Sequence, residues 1–466
     1  MASPQEKDNV KNTVNTTNVD AEDVAIGSQV QVNDSWTYLR SSKWNIFYRS
    51  VLCQMILFGA LSFVGPAMSD AISNLGGGGL SKPWLANLSN SLNYGFSCLV
   101  TLLGGPLINK IGIKWSCMIA AVVFPLGGSA YYLNARDGVE WYLLFANIIG
   151  GITSGFLYVG ETTAMLSYPK PEDRGFYLGI WSAMRNSGSV VGGAINFSTN
   201  YKKSSAGGIA WSTMYRICVG IFALSDQASA PSRWQQNPNV QDDFMEGRTY
   251  LVFIPAFYSF FYGGTMGTYL SLHFSVRARA LSSLIVPTIT IPLVIAFGKL
   301  LDCKWWPQRR RAWVAFLMWC LPQIGCFIWL GIEYNTISLS AQLDYELQTG
   351  PWIKAYLPYL VIFVTGYWTQ LTLYWVLGTF STDVKASSRT GGLFRSFETA
   401  GQAVSYGLSS ASNINPRVPF YVNCAVLVLV IPCMIFLIRI VPEISTSSDD
   451  VDGPVLDAAI EEKRDV

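Results

Sequence analysis

Histidine and charge are both scarce in this chain. One histidine, His273, occurs in 466 residues, which excludes the histidine clusters that hold metals in membrane oxygenases. Charged residues are 13% of the sequence, about half the share usual in a soluble domain. The net charge of +2 is too small to mark a nucleic-acid partner, and none is expected. No Gly-x-x-x-x-Gly-Lys-Ser/Thr run occurs, so nothing predicts a phosphate-binding loop for nucleotide-driven pumping. No nucleophile–base pair is legible, and the chain is read as a non-enzyme with no cofactor and no metal. The first 45 residues hold no apolar core of a cleavable signal, so the first span is expected to direct insertion. Eight of the nine cysteines (Cys53, Cys98, Cys117, Cys218, Cys320, Cys326, Cys424, Cys433) fall in predicted spans, where thiols act as small apolar packing residues. No disulfide framework is expected.

Apolar length, by contrast, is abundant. Half of the residues (50%) are hydrophobic, gathered into stretches of roughly 17–25 residues, the length that crosses a bilayer core. The predicted spans are 48–68, 91–108, 115–133, 142–166, 175–197, 208–225, 250–272, 281–301, 312–332, 356–380, 391–411 and 418–440. The fold class is therefore all-α and integral to the membrane, with the lipid bilayer as its first partner. Basic residues gather at Lys110 and Lys114, Lys170 and Arg174, Lys304 to Arg311, and Lys385 and Arg389, all on one side of that topology. The other side holds fewer, among them Lys82, Arg136, Lys202 and Lys354, so both termini are expected in the cytoplasm. The layout is a polar tail over 1–45, a six-span unit over 46–225, a linker over 226–249, a second six-span unit over 250–440 and an acidic tail over 441–466.

The sixth span is the thin one. Arg216 sits near its middle, and polar sequence follows at once. Two readings remain open: a short tilted helix, or a chain that has lost part of this helix.

An internal repeat supports two halves of six. Gly105 to Asn109 and Gly298 to Asp302 share a Gly-x-x-x-Asn/Asp step followed by basic residues, beginning with Lys110 in the first. A second echo aligns WSAMRNSGSVVGG with FRSFETAGQAVSYG, so that Trp181 falls on Phe394, Arg185 on Glu398 and Gly188 on Gly401. Such repeats are common in secondary transporters.

The paired loops resemble the Gly-x-x-x-Asp-Arg-x-Gly-Arg-Arg/Lys signature of the major facilitator superfamily. The run GITSGFLYVGETTAMLSYPKPEDRGFYLGIWSAMRNSGSVVGGAINF is similar to the uncoordinated-93-like branch of that superfamily as it occurs in fungi, and YSFFYGGTMGTYLSLHFSVRARALSSL and GGLFRSFETAGQAVSYG fit the same branch. The resemblance implies the major-facilitator fold, about twelve transmembrane helices in two pseudo-symmetric halves. It implies gating loops at Gly105, Asn109, Lys110, Gly298 and Asp302, where acid and base form a charge latch. Asn109 departs from that pattern by replacing the first acid. The implied function is secondary transport of a small organic molecule. The alternative is a membrane regulator or trafficking partner, which would bring a protein partner.

Ionisable groups inside spans each require a reason. Glu161, Arg185, Arg395 and Glu398 are such groups and are the candidates for a substrate or proton pathway. A hairpin of spans 4 and 5 is expected to bring Arg185 onto Glu161. Arg395 and Glu398, three residues apart, share a helix face and suit a local salt bridge. In the resembled fold spans 5 and 11 face the central cavity, which places Arg185 and Glu398 toward substrate, with Tyr158, Trp181 and Phe394 as aromatic lining. Sequons at Asn87 and Asn196 fall near the outer side and are candidate glycosylation sites.

Overall fold

The structure is a computed structural model that describes residues 50–64, 82–202, 251–336, 342–380, 384–411, 413–415 and 417–443, without the side chains of 64, 109, 114 and 384–386. The chain divides into Met1–Cys53 and Gln54–Val466, the second of which holds the bundle. The expected tail over 1–45, the sixth span with Arg216, the linker over 226–249 and all but the first three residues of 441–466 lie outside the described residues.

Twelve α-helices are described: α1 Val51–Val64, α2 Pro83–Ile111, α3 Ile113–Asp137, α4 Glu140–Ser167, α5 Arg174–Asn200, α6 Phe253–Ser259, α7 Tyr262–His273, α8 Val276–Leu301, α9 Gln308–Thr336, α10 Thr349–Gly378, α11 Val384–Ser410 and α12 Val418–Ile440. Seven of them (α2, α3, α4, α8, α9, α10 and α12) are long and apolar enough to cross a bilayer. The helices α5 and α11 are as long, at 27 residues each, but more polar. Their buried residues include Arg185, Arg395 and Glu398, so polarity that lipid would penalise is turned inward.

Local sequence explains the boundaries. Helix α2 begins well before the predicted 91–108, because Asn87, Ser91 and Asn93 dilute the apolar run there. Those side chains face other helices and not lipid. Asn87 donates to the Ser409 carbonyl at 3.0 Å, Ser91 to Ala403 at 2.8 Å and Asn93 to Asn147 at 3.1 Å. The α2–α3 and α3–α4 turns each pass through a glycine at positive φ, Gly112 at 85° and Gly138 at 71°, a conformation that costs other residues energy.

The predicted span 250–272 is broken into α6 and α7 at Phe260 and Phe261. The Ser405 hydroxyl of α11 donates to the Phe261 carbonyl at the break, so the interrupted ladder is satisfied by a neighbouring helix. By contrast, α12 runs over the predicted 418–440, with its one buried polar side chain, Asn423, turned to Thr265 of α7.

Two helix pairs form the centre of the bundle, α2 against α11 and α5 against α8. Close backbone approach at small residues is what packs helices where lipid gives no hydrophobic drive. A Cβ built on Gly105 of α2 would lie 2.8 Å from the Arg389 Cα of α11, and one on Gly175 of α5 would meet the Gly298 carbonyl of α8. The α2–α11 pair also touches at its opposite end, where Asn87 bonds to Ser409. Likewise Gly193 of α5 lies against Ser283 of α8.

Candidate functional site

A buried charge cluster sits where α1, α4, α5, α10 and α11 converge. Arg395 of α11, 2% exposed, is its hub. Its Nη1 donates to Glu398 Oε1 at 2.9 Å, one helical turn along. Its Nη2 stands 4.0 Å from Glu161 Oε2 on α4, and its Nε donates to Thr162 Oγ1 at 3.3 Å. The guanidinium lies over the Tyr158 ring at 4.8 Å and near the Tyr374 ring at 5.5 Å, an arrangement in which the ring faces add to the stabilisation of a desolvated cation.

Each carboxylate also has a neutral partner. Gln370 Nε2 donates to Glu398 Oε1 at 2.8 Å, and the Ser62 hydroxyl of α1 donates to Glu161 Oε1. Three polar atoms remain buried without a hydrogen-bond partner: Glu161 Oε2, Glu398 Oε2 and Arg395 Nη2.

The predicted local bridge between Arg395 and Glu398 is therefore present. Beside the expected partner Arg185, Glu161 has a second arginine at ion-pair distance, Arg395, from the other end of the chain. Arg185, 7% exposed, acts on Glu161, Glu398 and Arg395 through its charge. The aligned positions Trp181 and Phe394 both pack on Tyr374, with centroids 6.3 and 4.8 Å away. Positions that the repeat relates thus meet at one ring.

Ser62, Gln370 and Tyr374 are not among the residues that the sequence singles out. A glutamine inside the apolar run 356–380 is a legible signal. Nothing marks Ser62, since a single serine in a span commonly bonds back to its own helix.

A second feature closes the ends of α5 and α8. Asp302, just past α8, accepts from the backbone N–H of Gly175 at 2.9 Å and of Phe176 at 2.6 Å. Those donors belong to the first turn of α5, whose N–H groups have no partner within the helix and whose dipole favours an anion. Burial pushes the Asp302 carboxyl up to about 6, against the pull of those two N–H groups and with the push of nearby Asp173, while Arg311 also pulls it down. Lys304 pairs with Glu172 at 3.1 Å beside it. Arg174 donates to the carbonyls of Leu166, at 3.2 Å, and Gly378, joining the ends of α4 and α10.

At the first predicted latch the contact is the backbone approach of Gly105 to Arg389. Lys110 is exposed, and the Asn109 side chain lies outside the described residues. The candidate glycosylation sites require correction. Asn87 is 3% and Asn196 0% exposed, both inside helices, and the Asn87 amide is engaged with Ser409. A glycan has no room at either.

The comparisons with known proteins agree with this geometry. The sequence model of the Major Facilitator Superfamily matches residues 50–406. The chain is 28% identical over 410 residues to notoamide biosynthesis cluster protein O' of Aspergillus versicolor, covering 82% of this chain and 88% of that protein. It is 26% identical over 394 residues to UNC93-like protein 1 of Arabidopsis thaliana, covering 78% and 84%. A UNC93-like protein of Schizosaccharomyces pombe is 24% identical over 425 residues, covering 84% and 83%. Among solved structures, the fold resembles the transporter FucP in its outward conformation, with a TM-score of 0.55 at 12% identity over 85% of this chain and 100% of that one. It also resembles a D-xylose-proton symporter, with a TM-score of 0.56 at 14% identity over 84% and 97%. An all-α bundle with polar, inward-facing α5 and α11, a buried charge cluster and this family match make the chain a member of the Major Facilitator Superfamily, with UNC93-like proteins among its relatives.

Proposed function

We propose that the protein is a secondary transporter that moves a small organic molecule by alternating access, with both termini in the cytoplasm. The observation that carries this reading is the ion pair between Glu161 of α4 and Arg395 of α11. A buried pair within one rigid unit needs no function beyond satisfying its charges. A pair between helices that precede and follow the central connection separates whenever the two sets of helices rock apart, so its energy depends on the access state.

Arg185 and Glu398 are proposed to face the substrate path with Glu161 and Arg395. The Gly105–Lys110 and Gly298–Asp302 stretches, which form the ends of α2 and α8, are proposed to act as its gates. Trp181, Tyr374, Tyr158 and Phe394 supply aromatic surface beside the charges, which suits an organic substrate with both apolar and polar parts. The name of the Aspergillus relative, a biosynthesis cluster protein, supports a metabolite as cargo.

The test is an untargeted comparison of metabolites inside and outside cells with and without the protein. A transported compound redistributes across the membrane when the protein is removed. Identical metabolite pools would favour the second reading, a non-transporting membrane regulator. That reading draws on Asn109, which leaves the first latch without its acid.

A further inference from the structure

Three consecutive arginines stand in the first turn of α9, and the bundle sends them to three different places. Arg311 turns inward, donating to the Leu301 carbonyl at 2.9 Å and lying 5.4 Å from the Trp375 ring. Arg309 reaches the end of α12, where it donates to the Val441 carbonyl at 3.2 Å and pairs with Glu443 at 2.8 Å. The Gln308 N–H adds a bond to the Glu443 carbonyl at 3.1 Å, so the start of α9 and the end of α12 are tied side by side. Arg310 is exposed and meets no carboxylate among the described residues; its guanidinium lies over the Trp306 ring at 5.3 Å.

Helix periodicity shows what Arg310 looks toward. The exposed apolar residues Leu317, Leu321, Ile328 and Ile332 follow it along α9 at steps of seven, four, seven and four, which keeps all five on one stripe. In a span of this length that stripe is the surface that meets lipid. Helix α12 repeats the pattern in reverse, with exposed Val428 and Phe436 leading to Arg439 in its last turn. Arg439 is also exposed and without a carboxylate among the described residues. Two uncompensated cations therefore end the lipid-facing stripes of two adjoining helices. Beside them Trp305 is 91% exposed, as an aromatic at a membrane interface is.

We infer that the joined ends of α9 and α12 bind the headgroup of an anionic phospholipid, with Arg310 and Arg439 as its cations and Trp306 positioning Arg310. The acyl chains would lie along the two apolar stripes. An arginine at the end of such a stripe lifts its charge to headgroup level, and a guanidinium fits a phosphodiester with two parallel N–H bonds. A zwitterionic headgroup brings an ammonium of its own, which two uncompensated arginines repel. The cytoplasmic leaflet is the one rich in anionic lipid, and this end of the bundle is cytoplasmic in the orientation proposed above. Such a lipid clamps α9 to α12 in a transporter and in a regulator alike.

The experiment follows the melting temperature of the full chain in detergent micelles as phosphatidylserine, phosphatidylcholine or inorganic phosphate is added. A ligand that binds only the folded state raises that temperature. The half-maximal concentration of phosphatidylserine should lie at least about tenfold below that of phosphatidylcholine. Inorganic phosphate, which brings no acyl chain, should have no effect. Arg310→Gln and Arg439→Gln should each raise the half-maximal phosphatidylserine concentration about fivefold, and the double variant about 25-fold. Arg136→Gln removes an exposed charge at the opposite end of the spans and should leave it unchanged. Trp306→Leu keeps every charge and should still raise it about two- to fivefold, which decides the matter if an arginine variant folds poorly. An equal response to the two lipids, an undisturbed double variant, an equal loss in Arg136→Gln, or a response to phosphate alone would each overturn the site. So would a phosphatidylserine response that appears only when Asp449, Asp450 and Asp452 are changed to Asn, which would assign the patch to the chain's own acids. Micelles offer lipid to both ends of the bundle, so the outcome is separate from the orientation and from the transport reading.

Discussion

Two aspartates at opposite ends of α8 show two different ways in which this bundle holds a carboxylate at a helix end. Asp344, in the segment between α9 and α10, is gripped by Arg277 at the start of α8, with Nε and Nη2 each 2.6 Å from a carboxylate oxygen. Ser275 donates to it at 2.6 Å and the Glu346 N–H at 2.9 Å. Burial alone pushes the Asp344 carboxyl up, but the bonds from Arg277, Ser275 and Glu346 outweigh it and hold it at about 2. The same segment is stitched to the α7–α8 turn by Leu343, whose N–H donates to the His273 carbonyl at 2.7 Å. Everything in this clip belongs to α7–α10.

Asp302, at the other end of α8, takes hydrogen bonds from two backbone N–H groups of α5, a helix from before the central connection. Its carboxyl lies at about 6. An anion forked by a guanidinium stays ionised at any ordinary pH, whereas at Asp302 burial outweighs the pull of the two N–H groups and lifts the carboxyl. Asn109, at the matching position in the last turn of α2, has no charge at all.

The largest expected effect breaks the clip. Arg277→Leu strands the buried Asp344 carboxylate and should cost about 3–5 kcal/mol of stability, read as a loss of thermal stability in detergent. A change under about 1 kcal/mol would mean that the pair is solvated and the contrast with Asp302 unfounded.

The next sharpens the contrast through pH. The folded state holds the Asp302 proton more tightly than the unfolded chain, whose aspartates titrate near 3.8. Its contribution is therefore complete below about pH 4 and falls as pH rises to about 6, by up to roughly 3 kcal/mol. Asp344 has the opposite sign, contributing above about pH 4 and losing that contribution as pH falls toward 2. Asp302→Asn should flatten the slope between about pH 4 and 6 in thermal melts. If the slope persists unchanged, another group produces it.

Removing the acceptor altogether should cost less. Asp302→Ala leaves two N–H groups of the first turn of α5 without their partner, worth about 1–2 kcal/mol. Cysteine crosslinking across the ends of α5 and α8 should report the looser joint as slower closure; an unchanged rate would remove Asp302 from the gate.

The smallest effect repairs the first latch. Asn109→Asp adds the missing anion and should strengthen closure by about 0.3–1 kcal/mol if it meets the start of α11 as Asp302 meets α5. No gain would show that an anion at 109 adds nothing to the α2–α11 contact at Gly105.

Much of this is legible from the residues themselves. Unbroken apolar length fixes α12 at Val418–Ile440, because lipid admits only a helix with its backbone bonds satisfied internally. The cost of charge in hydrocarbon singles out Glu161, Arg185, Arg395 and Glu398, and a spacing of three is enough to place Arg395 beside Glu398 on one helix face. The repeat relates Trp181 to Phe394. Tertiary structure decides the remainder. That Glu161 meets Arg395 from the other end of the chain, that Ser62 and Gln370 complete the cluster, and that Asn87 and Asn196 are buried all depend on which helix faces come together. Periodicity says that a helix has an inward face; only packing says what that face meets.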